Sequence, residues 1–257
     1  MTTREALRQR GEAMRARLFG QDAGAAGPGD SAPGFRQLMS EAVYGGIWSR
    51  PGLALADRMI CTLAALGAVQ RLPQLRRYVA AALNTGLEPR TIQEILLQVG
   101  IYAGFSASEE ALEVAGAVFA ERGISIPAAN AARDDPLDTL SARGRDLLQD
   151  LHGERGAQGY ASPDDPVTGA LYPVAIQYGY GEIWFRPGLD RRQRALCAVA
   201  GFTALRLESQ VKKFGQSALN VGLTRTEVIE AVIQTAPMSG FAPALNALAA
   251  LSDALRS

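Results

Sequence analysis

Apolar residues recur every three or four positions along most of the chain, the spacing that places them on one face of an α-helix. Two segments, LADRMICTLAALGAV (residues 55–69) and RRQRALCAVAGFTAL (residues 191–205), are apolar on more than one face, which predicts helices buried on most sides. No stretch alternates apolar and polar residues between turn dipeptides, so strands are not expected. The predicted fold class is all-α.

Helix ends can also be placed. Gly86 and Gly222 follow apolar helical patterns and are expected to end those helices as left-handed residues. The next helix starts at Pro89 in the first case, and at a capping box formed by Thr224 and Glu227 in the second.

The chain contains one unit twice. YGGIWSRPGL at residues 44–53 returns as YGEIWFRPGL at residues 180–189, and the matches continue for nearly seventy positions at a constant offset of 136. Upstream, ALRQRGEAMRARLFG resembles TLSARGRDLLQDLHG at an offset of 133, so each copy also carries an N-terminal helix. We predict a first helical repeat over residues 1–123, a linker over 124–138 and a second helical repeat over 139–257.

Composition narrows the class of protein. Of the 257 residues, 47% are hydrophobic and 20% charged, which fits a globular chain with a sizeable core. Basic and acidic residues both number 26, so no net charge favours nucleic acid or an anionic membrane. The N-terminus has no apolar leader-like region and no run approaches the length of a membrane span, which predicts a cytoplasmic protein.

Cysteine and histidine are scarce. Cys61 and Cys197 lie in apolar runs, where a thiol behaves as a small buried hydrophobe. His152 is the one histidine, which excludes a zinc site built from Cys and His, and its place at a helix end favours a structural role over catalysis. Because the sequence also lacks a phosphate-cradling or dinucleotide-binding motif, no cofactor is expected.

The motif around Tyr180 to Leu189, the later ALNVG at residues 218–222, Glu230, Gln234 and the run SGFAPALNAL at residues 239–248 resemble the carboxymuconolactone decarboxylase family, relatives of the alkylhydroperoxidase D-type proteins. The resemblance implies a small helical bundle that dimerises and assembles into a ring, commonly a trimer of dimers. A tandem copy would supply the dimer within one chain, as an intramolecular pseudo-dimer. The expected assembly is then a homo-oligomer, a trimer of duplicated chains.

Two family features are replaced here. Where the peroxidase-like branch has a C-x-x-C pair followed by a histidine, this chain has Arg71, Gln74 and Tyr78 in one repeat, and Leu207, Gln210 and Phe214 in the other. Disulfide-based peroxide reduction is therefore not expected. The glutamate of the decarboxylase branch is retained in the second repeat as Glu182 and replaced by Gly46 in the first.

The retained residues suggest a chemistry. Loss of carbon dioxide needs a cation to hold the carboxylate or enolate and a proton donor for the carbanion-like carbon. Glu182 and Tyr78 are the candidate catalytic residues, and desolvation beside aromatic rings could keep Glu182 partly protonated. The candidate substrate-binding residues are Arg50, Arg186, Tyr44, Tyr180, Trp48 and Trp184.

Structural interpretations stay open beside these. Each arginine could pair with an acid at a bundle interface, each tryptophan could be a packing residue, and Asn84 and Asn220 could be capping or turn residues. Two function classes also stay open. One is a cofactor-independent lyase, cyclase or isomerase acting on a small cyclic, aromatic or polyketide-derived acid or lactone, and the other is a non-catalytic binding or assembly protein.

Overall fold

The computed structural model describes residues 2–20, 32–126, 134–156 and 162–256. The described chain is helical and contains no β-strand, which confirms the all-α prediction. In chain order the main elements are α1 (Arg4–Phe19), α2 (Phe35–Leu38), a π-helix π1 (Met39–Trp48), α3 (Leu55–Ala68), α4 (Leu72–Asn84), α5 (Pro89–Ala103), α6 (Phe105–Glu121), α7 (Leu137–His152), α8 (Tyr172–Val174), a π-helix π2 (Ala175–Glu182), α9 (Arg191–Ala204), α10 (Glu208–Asn220), α11 (Arg225–Ser239) and α12 (Phe241–Arg256). A 3₁₀ turn, Ile183–Phe185, directly follows π2.

The helices repeat with the predicted spacing. Helices α9 to α12 each begin 136 residues after α3 to α6, and α7 begins 133 residues after α1. The two central helices, α3 and α9, pack against each other, and α5 and α11 each contact the central helix of the other repeat. The chain is therefore an intramolecular pseudo-dimer, as predicted. Residues 127–133 of the predicted linker lie outside the described residues.

The predicted helix ends are confirmed. Gly86 and Gly222 have φ angles of 88° and 95°, and Thr224 forms the capping box with Glu227. Asn84 and Asn220 serve another helix: their amide groups donate at 2.9 Å to the carbonyl groups of Leu18 in α1 and Leu151 in α7. Each asparagine thus ties the end of one helix to the last turn of its repeat's N-terminal helix.

The second glycine of each copy's opening motif allows two helices to touch. A Cβ atom on Gly45 would lie 2.0 Å from the carbonyl oxygen of Leu7 in α1, and one on Gly181 would lie 2.1 Å from the carbonyl oxygen of Leu140 in α7. The facing helices also supply a glycine at each crossing, Gly11 and Gly144. Backbone therefore packs directly on backbone, which fixes the position of π1 and π2 on the N-terminal helices.

A buried ion-pair network joins the repeats. Glu230 in α11 accepts hydrogen bonds from Arg50, at 2.7 Å from Nη2, and from Arg58, at 2.8 Å from Nη2. Arg58 is 1% exposed and also donates to Gln234 Oε1 at 3.0 Å and to the carbonyl group of Arg50 at 2.8 Å. A glutamate of the second repeat thus neutralises two arginines of the first.

The same network occurs with the repeats exchanged. Glu94 in α5 accepts from Arg186 at 3.0 Å and from Arg194 at 3.2 Å, while Arg194 also donates to Gln98 and to the carbonyl group of Arg186. Arg194 and Glu94 are both fully buried. Because burial of an unpaired charge is far more costly than burial of a pair, neither repeat can keep these residues buried without the other.

The central cysteines behave as predicted. Cys61 and Cys197 are unpaired and fully buried. Burial raises the pKa of the Cys197 thiol to about 12 and raises that of Cys61 well above its usual value. Neither thiol is ionised near neutral pH, so both act as packing groups.

The glycine crossings can be tested by adding one methyl group. We expect Gly181→Ala to lower the free energy of unfolding by about 1–3 kcal/mol or more, because the new Cβ meets backbone atoms that cannot move aside. Gly116→Ala is the matched control: its Cβ would meet nothing within 4 Å, so the variant should be neutral or more stable by up to about 1 kcal/mol. Urea unfolding compares the two, and equal stabilities would contradict the assignment.

The ion-pair network predicts a stability that depends on pH. Burial opposes ionisation of Glu230, but hydrogen bonds from Arg50 and Arg58 outweigh it and hold the pKa of this carboxyl below its ordinary value. The stabilisation is therefore fully present above the unfolded-state pKa, about 4.3, and is lost as pH falls through the folded pKa.

We expect Glu230→Gln to unfold more easily at neutral pH, by on the order of 3 kcal/mol, because two arginines lose their counter-charge. The difference from the unmodified protein should shrink as pH is lowered from about 5 to 2. The exposed Glu12 supplies the control, Glu12→Gln, whose unfolding curve should match that of the unmodified protein at each pH. A constant difference for Glu230→Gln at every pH would contradict the sign of the pKa shift.

Candidate active site

A cleft of about 1100 Å³ lies between the two repeats. The first repeat supplies one wall from α5 and α6, and the second supplies the other wall from α8, π2 and the turn after π2. The lining residues are Leu97, Phe105, Ser106, Ser108, Glu109, Leu112 and Glu113 on the first wall, and Val174, Tyr178, Glu182, Ile183 and Arg186 on the second. Both repeats are therefore needed to form the cleft.

Glu182 is the last residue of π2, and its side chain is 16% exposed in this cleft. The nearest recorded cation is Arg186, whose Nη1 lies 3.9 Å from the carboxylate. Arg186 also forms the cross-repeat pair with Glu94, so one guanidinium group contacts two carboxylates. The contact with Glu182 is the longer one, which leaves this carboxylate able to bind or exchange a proton with a ligand.

The opposite junction of the pseudo-dimer lacks these polar groups. At the positions 136 residues away, Glu182 is matched by Gly46, Glu109 by Leu245, Glu113 by Ala249 and Ser106 by Ala242. Phe105 is matched by Phe241, so the apolar part of the lining is similar on the two sides. The acidic lining is thus a property of one junction, the one that contains Glu182.

A second polar group lies inside the second repeat. His152 ends α7 and is 1% exposed. Its Nδ1 lies 2.6 Å from Ser217 Oγ in α10, and its Nε2 lies 3.2 Å from the hydroxyl oxygen of Tyr180 in π2. The ring of Phe214 meets the imidazole edge to face, with centroids 5.0 Å apart. The histidine therefore packs directly on the position where the family histidine was expected from the sequence.

The matching place in the first repeat is apolar. Phe19 takes the position of His152, and its ring meets Tyr44 and Tyr78 edge to face at 6.0 and 5.6 Å. The hydroxyl groups of Tyr44 and Tyr78 are 3.4 Å apart, and Tyr78 stacks on Trp48. Burial and the neighbouring Tyr44 raise the pKa of Tyr78 well above its usual value, so its phenol stays neutral.

The eight predicted site residues are not brought together. Glu182 and Arg186 share the cleft, whereas Tyr44, Trp48 and Tyr78 lie in the core of the first repeat with exposures of 4%, 1% and 2%. Trp184 is also buried, and Tyr180 is half-buried against His152. The remaining residue, Arg50, is bound to Glu230 at the opposite junction.

Sequence reasoning missed Glu109 and Glu113 on α6, and it gave His152 a structural role. A usable signal was present in each case. Comparison of the repeats shows leucine and alanine in place of the two glutamates and phenylalanine in place of the histidine, the same kind of difference that singled out Glu182. What the sequence lacked was the knowledge that α6 of one repeat faces π2 of the other.

Two searches of the described residues concern other kinds of site. No group of three or more His, Cys, Asp or Glu side chains in the described part of the chain is arranged to hold a metal ion. None of the helices in those ranges is long and apolar enough to cross a membrane.

Comparison with known proteins gives a match in both repeats. A model of the carboxymuconolactone decarboxylase family matches residues 33–117 and 170–253. A 4-carboxymuconolactone decarboxylase of Acinetobacter baylyi is 36% identical over 91 residues, which cover 35% of this chain and 68% of that protein.

Two further relatives are similar over parts of the chain. An uncharacterised 15.0 kDa protein of Paracoccus denitrificans is 37% identical over 86 residues, 32% of this chain and 63% of that protein. A nitrosuccinic acid decarboxylase of Metarhizium robertsii is 25% identical over 119 residues, 46% of this chain and 83% of that protein.

Proposed function

Since this chain belongs to the carboxymuconolactone decarboxylase family, we propose that it is a cofactor-independent lyase that removes carbon dioxide from a small organic acid in the inter-repeat cleft. Relatives named as decarboxylases of 4-carboxymuconolactone and of nitrosuccinic acid support the reaction class. The observation that carries the proposal is Glu182, a cleft carboxylate beside Arg186 whose counterpart in the first repeat is glycine.

The lining of the cleft favours a substrate with an apolar ring. Leu97, Phe105, Leu112 and Tyr178 supply apolar and aromatic surface on both walls. A cyclic, aromatic or polyketide-derived acid or lactone would place its ring against this surface and its polar groups toward Glu182 and Arg186. Such a substrate fits either aromatic degradation or secondary metabolism.

The proposed reaction divides its work between two side chains. Arg186 holds the anionic group of the substrate, while the C–C bond to the departing carboxylate breaks and leaves its electron pair on the substrate carbon. Glu182, in its protonated form, donates a proton to that carbon and becomes a carboxylate, and the solvent returns the proton. A cyclase or isomerase reaction on the same fold would use the same proton exchange without loss of carbon dioxide.

Glu182→Gln tests the assignment, because glutamine keeps the size and hydrogen bonding of the side chain but cannot exchange the proton. With 4-carboxymuconolactone or nitrosuccinic acid as substrate, we expect carbon dioxide release to fall by about 100-fold or more. Glu12→Gln, on the exposed face of α1, is the control of equal charge and should keep full activity.

Three outcomes would count against this assignment. Full activity of Glu182→Gln would remove Glu182 from the reaction. Conversion of either acid to a product of the same mass, without carbon dioxide, would favour a cyclase or isomerase. An unmodified protein that neither converts these acids nor gains thermal stability from them would favour the binding or assembly alternative.

We also propose that the chain assembles into a homotrimer. Three exposed apolar residues occur at matching positions of both junctions: Phe105, Val174 and Leu171 at one, and Phe241, Leu38 and Phe35 at the other. Their exposed fractions range from 43% to 70%. Retention of the same exposed apolar surface on both sides, where the polar lining has diverged, fits a surface that other copies of the chain cover.

Light scattering after size-exclusion chromatography tests the trimer. We expect a mass three times the 27.3 kDa of one chain, and a shift toward the single-chain mass for Phe241→Glu, because a charge in a buried apolar contact opposes association. Val167→Glu is the control, since Val167 is 87% exposed and has no apolar counterpart in this set. A single-chain mass for the unmodified protein at micromolar concentration would contradict the proposal.

A further inference from the structure

The imidazole of His152 is not required for packing. Phe19 occupies the same place in the first repeat and meets Tyr44 at 6.0 Å and 87°, nearly the geometry of His152 on Tyr180, 6.0 Å and 79°. Ser217, the hydrogen-bond partner of His152, is matched by Ala81. An apolar pair thus packs equally well, so burial of a polar pair in the second repeat alone calls for another explanation.

The hydrogen bonds around His152 have a definite direction. Ser217 has one hydroxyl proton and donates it to the carbonyl oxygen of Lys213 at 3.0 Å. Ser217 Oγ must then accept at the 2.6 Å contact, which places a proton on Nδ1 of His152. In the neutral imidazole, Nε2 is the acceptor and faces the hydroxyl group of Tyr180 at 3.2 Å. The tautomer assigned in this way leaves Nε2 as the nitrogen that gains and loses a proton.

The outer end of this chain is more open than its counterpart. Tyr180 is half-buried, whereas Tyr44, its match in the first repeat, is 4% exposed. The imidazole itself is enclosed: the described groups that face it are the phenol of Tyr180 from π2, and the hydroxyl group of Ser217 and the ring of Phe214 from α10. A proton on Nε2 therefore has a direct path outward through the oxygen of Tyr180.

We propose that Tyr180, His152 and Ser217 form a proton relay of the second repeat, in which Tyr180 exchanges a proton with the substrate and His152 and Ser217 are positioning residues. This inference rests on the proposed function in one respect: the substrate must undergo a proton transfer. It adds a second proton-transfer group to Glu182, carried on the same π-helix but directed toward α7 and α10.

The relay conserves protons and electrons. When carbon dioxide leaves, the electron pair of the broken C–C bond stays on the substrate carbon. Tyr180 transfers its hydroxyl proton to that carbon, forming a C–H bond, and takes the Nε2 proton of the His152 imidazolium. The tyrosine hydroxyl is restored, His152 becomes neutral with its proton on Nδ1, and the solvent later returns a proton to Nε2.

The first test needs no substrate. His152 is the only histidine, so protein labelled with ¹⁵N-histidine and purified without a histidine tag gives one imidazole by NMR, with no assignment required. As pH is raised through the range where the protein is folded, we expect Nε2 to lose its proton while Nδ1 keeps its own. Tyr180→Phe should shift the Nε2 resonance most, and Ser217→Ala the Nδ1 resonance.

Two NMR results would overturn the relay. A neutral tautomer protonated on Nε2 would reverse the direction of the hydrogen bonds. An imidazole that keeps one protonation state throughout would also overturn it, because a relay residue has to change its charge. Both results are independent of any activity of Glu182, so they separate failure of the relay from failure of the proposed function.

The second test uses turnover. The double variant His152→Phe with Ser217→Ala copies the pair that already packs in the first repeat, and should therefore fold. We expect its kcat to fall by about 100-fold with little change in KM, and that of Tyr180→Phe to fall similarly. Phe19→Leu, the control in the first repeat, should leave kcat unchanged. Loss of activity in Glu182→Gln with full activity in the relay variants would reject the relay and keep the proposed function.

Discussion

The rest of the structure depends on the two buried ion-pair networks that the repeats exchange. Arg58 and Arg194 are almost completely buried, and each finds its carboxylate on a helix of the other repeat. Both guanidinium groups also bind the carbonyl group of the motif arginine, at Arg50 and Arg186 respectively. The turn that carries each motif is thus held by the opposite repeat, and the motif arginines complete the same networks.

This arrangement explains where the cleft lies. Arg186 is fixed by Glu94 of the first repeat, and Glu182 lies one helical turn before it. The backbone contact of Gly181 with Leu140 fixes the other side of π2. Glu182 is therefore positioned between two rigid constraints, one from each repeat. Precise placement of a catalytic group on well-supported elements is what efficient proton transfer requires.

Local and periodic features of the fold could be predicted from the sequence. The helices, their glycine ends, the capping box at Thr224 and the duplication all follow from spacings along the chain. Contacts between distant segments could not: no local signal tells that Arg50 meets Glu230 or that Glu109 faces Glu182. Tyr78 illustrates the limit. Its position in the motif suggested catalysis, yet it stacks on Trp48 in the core, while the histidine near the equivalent place arrives from α7.

Duplication within one chain permits a division that a symmetric dimer cannot have. In a homodimer every substitution occurs at both sites, so an acidic or polar group added to one junction must also be accommodated at the other. Here the polar residues gather on one side: Glu182, Glu109, Glu113, His152 and Ser217 have the counterparts Gly46, Leu245, Ala249, Phe19 and Ala81. The ion-pair networks, by contrast, are kept in both halves because both are needed to hold the repeats together. The parts that maintain the fold have stayed symmetric, and the parts with candidate chemistry have not, which is the pattern expected when one of two equivalent sites is released from its original role.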